Sequence, residues 1–147
     1  MLNRRTALLS GLAMPALLRT ARAQSADPIR IGMTQPLTGA VAASGNYVAN
    51  GAKIAVEVLN RAGGVLGRPL ELILEDNKSN PREAVAAAEK LVLRDRVPVL
   101  IGAWSSTFTL SIMPKLLEYR VPMVVETSSA ERITRALENL RHDLPPS

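Results

Sequence analysis

Residues 102–107, Gly-Ala-Trp-Ser-Ser-Thr, set three adjacent hydroxyls and the chain's one tryptophan where an apolar run ends. A second cluster, Thr127, Ser128 and Ser129, follows another apolar run, and Thr38 and Ser44 follow a third. A hydroxyl donates to a carboxylate and accepts from an ammonium group. Each cluster also leads into a helix-like stretch. The first turn of such a helix offers unpaired N–H groups and a partial positive charge. Brought together, these groups make a cradle for a small anion or zwitterion. The competing reading is that each hydroxyl caps its own helix, a contribution of about 1 kcal/mol that requires no ligand. One cap serves one helix, so several hydroxyl-rich loops on one sheet edge weigh toward the cradle.

Other chemistries find less support. Glu75 and Asp76 end an apolar run, and paired acids can hold a metal or act as acid and base. No further ligand cluster accompanies them, so a solvated strand end is the preferred reading. Glu126 ends another run and either faces a ligand ammonium or is solvated; the residues leave both open. The chain has no cysteine, which excludes disulfides, thiol nucleophiles and cysteine zinc sites. Its one histidine, His142, lies near the C-terminus and is read as a tail residue. No phosphate-binding GxxxxGK[ST], dinucleotide GxGxxG or hydrolase GxSxG pattern occurs.

The formal charge of +5 needs dividing before it is interpreted. Four of the 18 basic residues, Arg4, Arg5, Arg19 and Arg22, lie in the first 23 positions, where no acid does; the remaining 14 face 13 acids. The basic excess belongs to the N-terminal segment, and no basic patch with interleaved aromatics indicates nucleic acid. Residues 1–23 have a charged start, a short apolar stretch at 7–18 and Ala-Arg-Ala at 21–23. That is the layout of a secretory signal peptide, cleaved after Ala23. The apolar stretch is too short for a membrane span, which needs about 20 residues. Asn-Arg-Arg-Thr-Ala-Leu-Leu resembles a twin-arginine export signal, and Gly11, Pro15, Arg19 and Arg22 suit that route. The mature chain is then expected to begin at Gln24 and to be periplasmic.

The elements that must position the hydroxyls follow from hydrophobic periodicity. Strands are expected at 28–35, 68–77, 97–103 and 121–127, the third continuously apolar and buried on both faces. A helix is expected at 46–64, with Val48, Ala52, Ala55 or Val56, and Leu59 inward, stopped by Gly63 and Gly64. A second helix starts at Asn80 as cap, with Pro81 at its first position and Glu83 placed to reach back. A third spans 105–120 and is bent by Pro114. A fourth starts near Ser129. Alternation of this kind predicts an α/β fold with a mostly parallel sheet and right-handed crossovers. Ligands of such sheets bind beyond the carboxyl ends of the strands, here loops 36–45, 77–80, 103–106 and 127–130.

Three stretches then carry a resemblance: residues 29–92, from IRIGMTQPLTG through NGAKIAVEVLNRAGGVLGRPLEL to NPREAVAAAEKLV; VLIGAWSST; and VPMVVETSSAERIT. The chain resembles the periplasmic substrate-binding proteins of ABC transporters, in the branched-chain amino acid (Leu/Ile/Val-binding) family, over about residues 28–134. The resemblance implies a Rossmann-like lobe, the first of two that close on an amino acid, with residues 24–147 as that N-terminal lobe. It implies that Ser106, the Thr127 backbone and the Ser129 side chain hold the solute's carboxylate and ammonium groups, with Ser105 beside them. It places Ser44 where the family often has an aromatic residue packing on the ligand. Trp104 is either a pocket wall or core. The implied partners are a small solute, an amino acid or amide-like compound, and an inner-membrane permease. No cofactor, metal or enzymatic activity is implied.

Family members run to more than twice this length, so a truncated form is expected that binds with millimolar affinity or weaker, or not at all. Two alternatives stand beside this reading. One is the ligand-sensing domain of a receptor with the same fold, which needs a membrane or signalling segment. The other is an exported α/β hydrolase using a serine of Trp-Ser-Ser, which needs a base.

Overall fold

The computed structural model describes residues 27–135; the signal-peptide reading of residues 1–23 and His142 lie outside them. Four parallel strands, β1 (Ile29–Gln35), β2 (Leu70–Asp76), β3 (Leu100–Gly102) and β4 (Met123–Val124), form one sheet in the order β2-β1-β3-β4. The β1–β2 ladder is long, from Ile29 opposite Leu70 to Gln35 opposite Asp76. The β3–β4 ladder holds two pairs, Leu100 with Met123 and Ile101 with Val124. Both short strands fall inside longer apolar runs. Apolar content marks where a strand lies, but its length is set by the neighbour available for pairing.

Helix α1 (Ala42–Arg61) crosses from β1 to β2, while α2 (Pro81–Glu89) and α3 (Ser106–Tyr119) make the rightward crossings to β3 and β4. Right-handed connections therefore put α1 on one face and α2 with α3 on the other. The core lies on the α2–α3 face. There Ala84, Ala88, Leu91, Val97, Leu100 and Ile112 are buried, with Phe108 and Leu116 beside them. Each large aliphatic side chain buried there contributes about 1.5–3 kcal/mol. On the α1 face, coverage falls off across the strands. Met33 on β1 is 1% exposed and Val124 on β4 is 58% exposed, with Ile101 half-buried between them. The third strand is thus covered fully on one face only, because no described helix lies over β3 and β4 on the other.

Local signals explain most boundaries. Asn80 caps α2, its Oδ1 accepting from Arg82 N at 2.8 Å and Glu83 N at 3.4 Å, with Pro81 next. Glu83 does not reach back; its carboxylate pairs with Lys78 Nζ at 3.1 Å. The end of α2 widens into a π turn over Lys90–Arg94 before β3. Helix α1 ends as expected, with Gly63 and Gly64 at φ of 101° and 77°, but it begins four residues earlier than its apolar spacing indicates. Its inward face is also rotated. Gly45 and Ala49 are buried and Val48, Ala52 and Val56 partly so, whereas Ala55 and Leu59 are exposed. The sheet beneath α1 is covered by small residues, and Asn60 ties the helix to β2 through Leu70 N and O. Helix α3 runs as one element through Pro114, whose ring is exposed.

Candidate functional site

Two carboxylates organise the carboxyl edge of the sheet. At the end of β2, Asp76 Oδ1 accepts from Leu37 N at 2.9 Å, Thr38 N at 3.2 Å and Lys78 N at 2.8 Å, and Oδ2 accepts from the Thr38 hydroxyl at 2.6 Å. Ser79 completes this joint, donating to Thr38 O at 2.7 Å and accepting from Val41 N at 3.2 Å. Burial pushes the Asp76 carboxyl up. The Thr38 hydroxyl and the backbone N–H groups of Lys78, Leu37 and Thr38 outweigh that and hold it below the usual carboxylate value. Asp76 is therefore a clamp on loop one, not a solvated strand end, and its oxygens are occupied by N–H and O–H donors. Glu75, its neighbour, forms an ion pair with Lys90. Among the described residues no group of three or more metal-ligating side chains occurs.

Across the sheet, the opening hydroxyl cluster is joined to loop four. Trp104 takes a left-handed backbone conformation, φ 65°, at a cost of about 1 kcal/mol. Both polar groups of its backbone are bound in return. Its N–H donates to Glu126 Oε1 at 3.1 Å, and its carbonyl accepts from Thr127 Oγ1 at 2.8 Å and Ser128 Oγ at 3.3 Å. Ser105 is the N-cap of α3, its hydroxyl accepting from Thr107 N at 3.3 Å. Ser106 Oγ accepts from Ser129 N at 3.2 Å and Ala130 N at 3.1 Å. The Ser128 and Thr109 hydroxyls lie 2.7 Å apart. Capping and loop joining thus coexist: Ser105 caps its own helix, while Ser106 reaches across to the next loop.

The candidate residues therefore divide. Ser105, Ser106, Thr127, Ser129 and Trp104 belong to one bonded unit at the ends of β3 and β4. Ser44 does not stand in a loop. It lies in the first turn of α1, because Ala42 N already bonds Gly39 O and the helix begins there. Trp104 is half-buried, between wall and core.

Three polar residues that organise this edge were not read as such from the sequence. Gln35, at the end of β1, is fully buried and donates through Nε2 to Glu126 Oε1 at 2.7 Å. Glu126 thereby ties β1 to loop three from the end of β4. Asp76 does the same for loops one and two. Apart from Lys78, two residues from Asp76, their partners lie 22 to 91 residues away in sequence, and no local pattern marks those. Glu126 is half-buried, and among the described residues its Oε2 and Gln35 Oε1 have no hydrogen-bond partner. Of the two open readings for Glu126, solvated strand end is the one this geometry corrects.

An apolar groove, lined by Met113, Leu117, Val121 and Ile133, lies against α3 and β4, and it shares Met123, Val125 and Ile133 with a more polar hollow lined by Ser128, Ser129 and Thr134. The serine-nucleophile reading finds no base here, since no histidine occurs among the described residues.

A family model described as a periplasmic binding protein matches residues 28–139. The Leu/Ile/Val-binding protein homolog 3 of Brucella melitensis is 39% identical over 134 residues, covering 90% of this chain and 36% of that protein. The crystal structure of LivJ from Streptococcus pneumoniae, a branched-chain amino acid transporter substrate-binding protein in complex with isoleucine, superposes with a TM-score of 0.72 at 29% identity. The match covers 74% of this chain and 31% of LivJ. A solute-binding protein of an ABC transporter from Rhodopseudomonas palustris, in complex with 3,4-dihydroxybenzoic acid, gives 0.67 at 26% identity, over 74% of this chain and 29% of that one. The chain spans about a third of the length of the relatives it matches.

Proposed function

The chain belongs to the periplasmic binding protein family, a family of binding proteins rather than enzymes, and from that premise we propose that it is the solute-binding component of an ABC transporter. Its solute is an amino acid or a similar small polar compound, and its partner is an inner-membrane permease. Residues 1–23 act as a signal peptide, cleaved after Ala23 on the twin-arginine route. Residues 24–147 act as a leucine-binding-protein-like N-terminal lobe, placed in the periplasm. The observation that carries this reading is the joined unit of loops three and four. Ser106 Oγ spends its lone pairs on Ser129 N and Ala130 N, which leaves its hydroxyl hydrogen to donate to an acceptor such as a carboxylate. Thr127 and Ser129 occupy the loop-four positions that the family resemblance assigns to the ligand, and Ser105 is the neighbour of Ser106 in loop three.

Calorimetric titration of the purified chain with leucine tests the reading. Saturable binding is expected, and Ser106→Ala is expected to weaken it about tenfold, the scale of one hydrogen bond to a charged group. Equal affinity in the variant, or no heat with any amino acid or amide, counts against it. For export, replacing Arg4 and Arg5 by lysine is expected to stop delivery to the periplasm. A product recovered there with an N-terminus other than Gln24 refutes the cleavage site.

A further inference from the structure

Helix α1 turns its small residues inward and its bulk outward. Gly45 and Ala49 are buried against the sheet, while Tyr47, Ile54 and Val58 are 80%, 63% and 56% exposed. With Gly51, also exposed, these three fall within about 60° of one another around a helix of 100° per residue. They form one apolar stripe on the pole away from the sheet, with no charged residue in it. Gly51 adds a second observation. It stands mid-helix, where glycine is a poor helix former, and a Cβ added there would meet nothing within 4 Å. Nothing in the described fold needs its missing side chain. A glycine on an exposed apolar stripe suits the close approach of another backbone.

The spacing of the stripe identifies that backbone. Positions 47, 51, 54 and 58 lie four, three and four residues apart, the a/d spacing of a coiled-coil seam. That order reads the same from either end. A second α1, antiparallel and related by a two-fold axis between Ala52 and Lys53, therefore sets Tyr47 opposite Val58 and Gly51 opposite Ile54 in both copies. Each bulky side chain meets a smaller one, and the glycines leave room for the isoleucines. Along one margin of the stripe the same register brings the Glu57 carboxylate beside the amides of Asn46 and Asn50 in the other copy. It keeps the two Glu57 residues roughly 14 Å apart along the axis, beyond the screening length at physiological salt.

We propose that α1 is the seam of a two-fold homodimer, in which the α1 helices of two copies pair antiparallel through Tyr47, Gly51, Ile54 and Val58. The inference goes beyond the solute-binding reading and does not depend on it. Helix α1 starts at the carboxyl edge of the sheet and runs about 30 Å away from it. Antiparallel pairing therefore puts the two hydroxyl-bearing edges at opposite ends of the dimer and leaves both open.

Sedimentation equilibrium of the full chain over a dilution series tests this, and a dimer is expected. Ile54→Glu is expected to weaken it at least about tenfold, because a charge replaces an apolar side chain in the seam. Measured at a dilution where both are monomeric, the unfolding temperature is expected to stay in place, since the position is exposed. Gly51→Leu is expected to raise that temperature, leucine being the better helix former, and yet to weaken the dimer by a similar factor. The chain has no cysteine of its own. Tyr47→Cys and Val58→Cys copies, mixed and oxidised with copper phenanthroline, are therefore expected to join to each other while neither joins to itself. A wild type that is monomeric at every concentration overturns the proposal. So does a dimer that survives either substitution, as pairing through the open β4 edge would, and so do thiols that fail to join or join without preference.

Discussion

Asp76 and Glu126 do the same mechanical job at opposite ends of one sheet edge, yet only one of them is finished. Each is a carboxylate at the end of a strand that gathers loop amides. Asp76 takes four donors on its two oxygens and joins loop one to loop two with nothing left over. Glu126 takes two donors on one oxygen, and the other is buried without any among the described residues. A joint that satisfies itself is structural. A joint with an oxygen unused among the described residues can accept one more donor.

The comparison breaks most sharply if Asp76 is removed. Asp76→Ala is expected to cost about 2–3 kcal/mol, since several hydrogen bonds to a charged acceptor are lost together; urea unfolding reads this directly. A loss below 0.5 kcal/mol, the range of a plain surface change, would show that loop one does not depend on the clamp. A smaller effect comes from Gly39→Ala. Gly39 has φ 87°, and an added Cβ would lie 2.8 Å from Lys78 O and from Ser79 Oγ. About 1–2 kcal/mol is expected from strain and displacement of the same joint.

Acid sharpens the contrast. The carboxyl of Asp76 titrates below its ordinary value of 3.8 when folded. Its contribution is therefore present above pH 3.8 and lost as pH falls through the folded value. Asp76→Asn is expected to flatten the stability profile in that acid window, measured by unfolding at stepped pH. An unchanged slope removes Asp76 as its source. The smallest effect is expected at Val124→Lys. Its side chain is 58% exposed on the uncovered part of the α1 face, so stability should move within about 0.5 kcal/mol. Self-association by light scattering should fall, because a lysine there disfavours strand pairing and apolar contact between copies.

What the sequence made legible was what neighbouring residues decide. Asn80 and Pro81 announced α2 because a cap acts within three residues. Gly63 and Gly64 announced the end of α1 for the same reason. Alternating strands and helices announced a parallel sheet, because crossovers leave few other arrangements. The rest depended on partners far along the chain. The apolar run around β3 shows no sign that only three residues will pair. Ser44 lay in the first turn of a helix whose start is set by the Gly39 turn. Ser106 could be recognised as a hydroxyl near a helix, but its partners at Ser129 and Ala130 become visible only when loop four folds against it. Glu126 was readable as a strand-end acid, but its tie to Gln35 and Trp104 became visible only when the fold brought those residues to it.

Trp104 carries a consequence of a different kind. Its peptide is held at both polar atoms by loop four, and its indole is the chain's one strong fluorophore, half-buried at the corner where the two loops meet. Light absorbed by the indole alone therefore samples a single place in the molecule. Any change in the spacing of loops three and four alters the polarity around that ring and shifts its emission. The corner thus has a built-in optical gauge, usable without a label and without altering a residue.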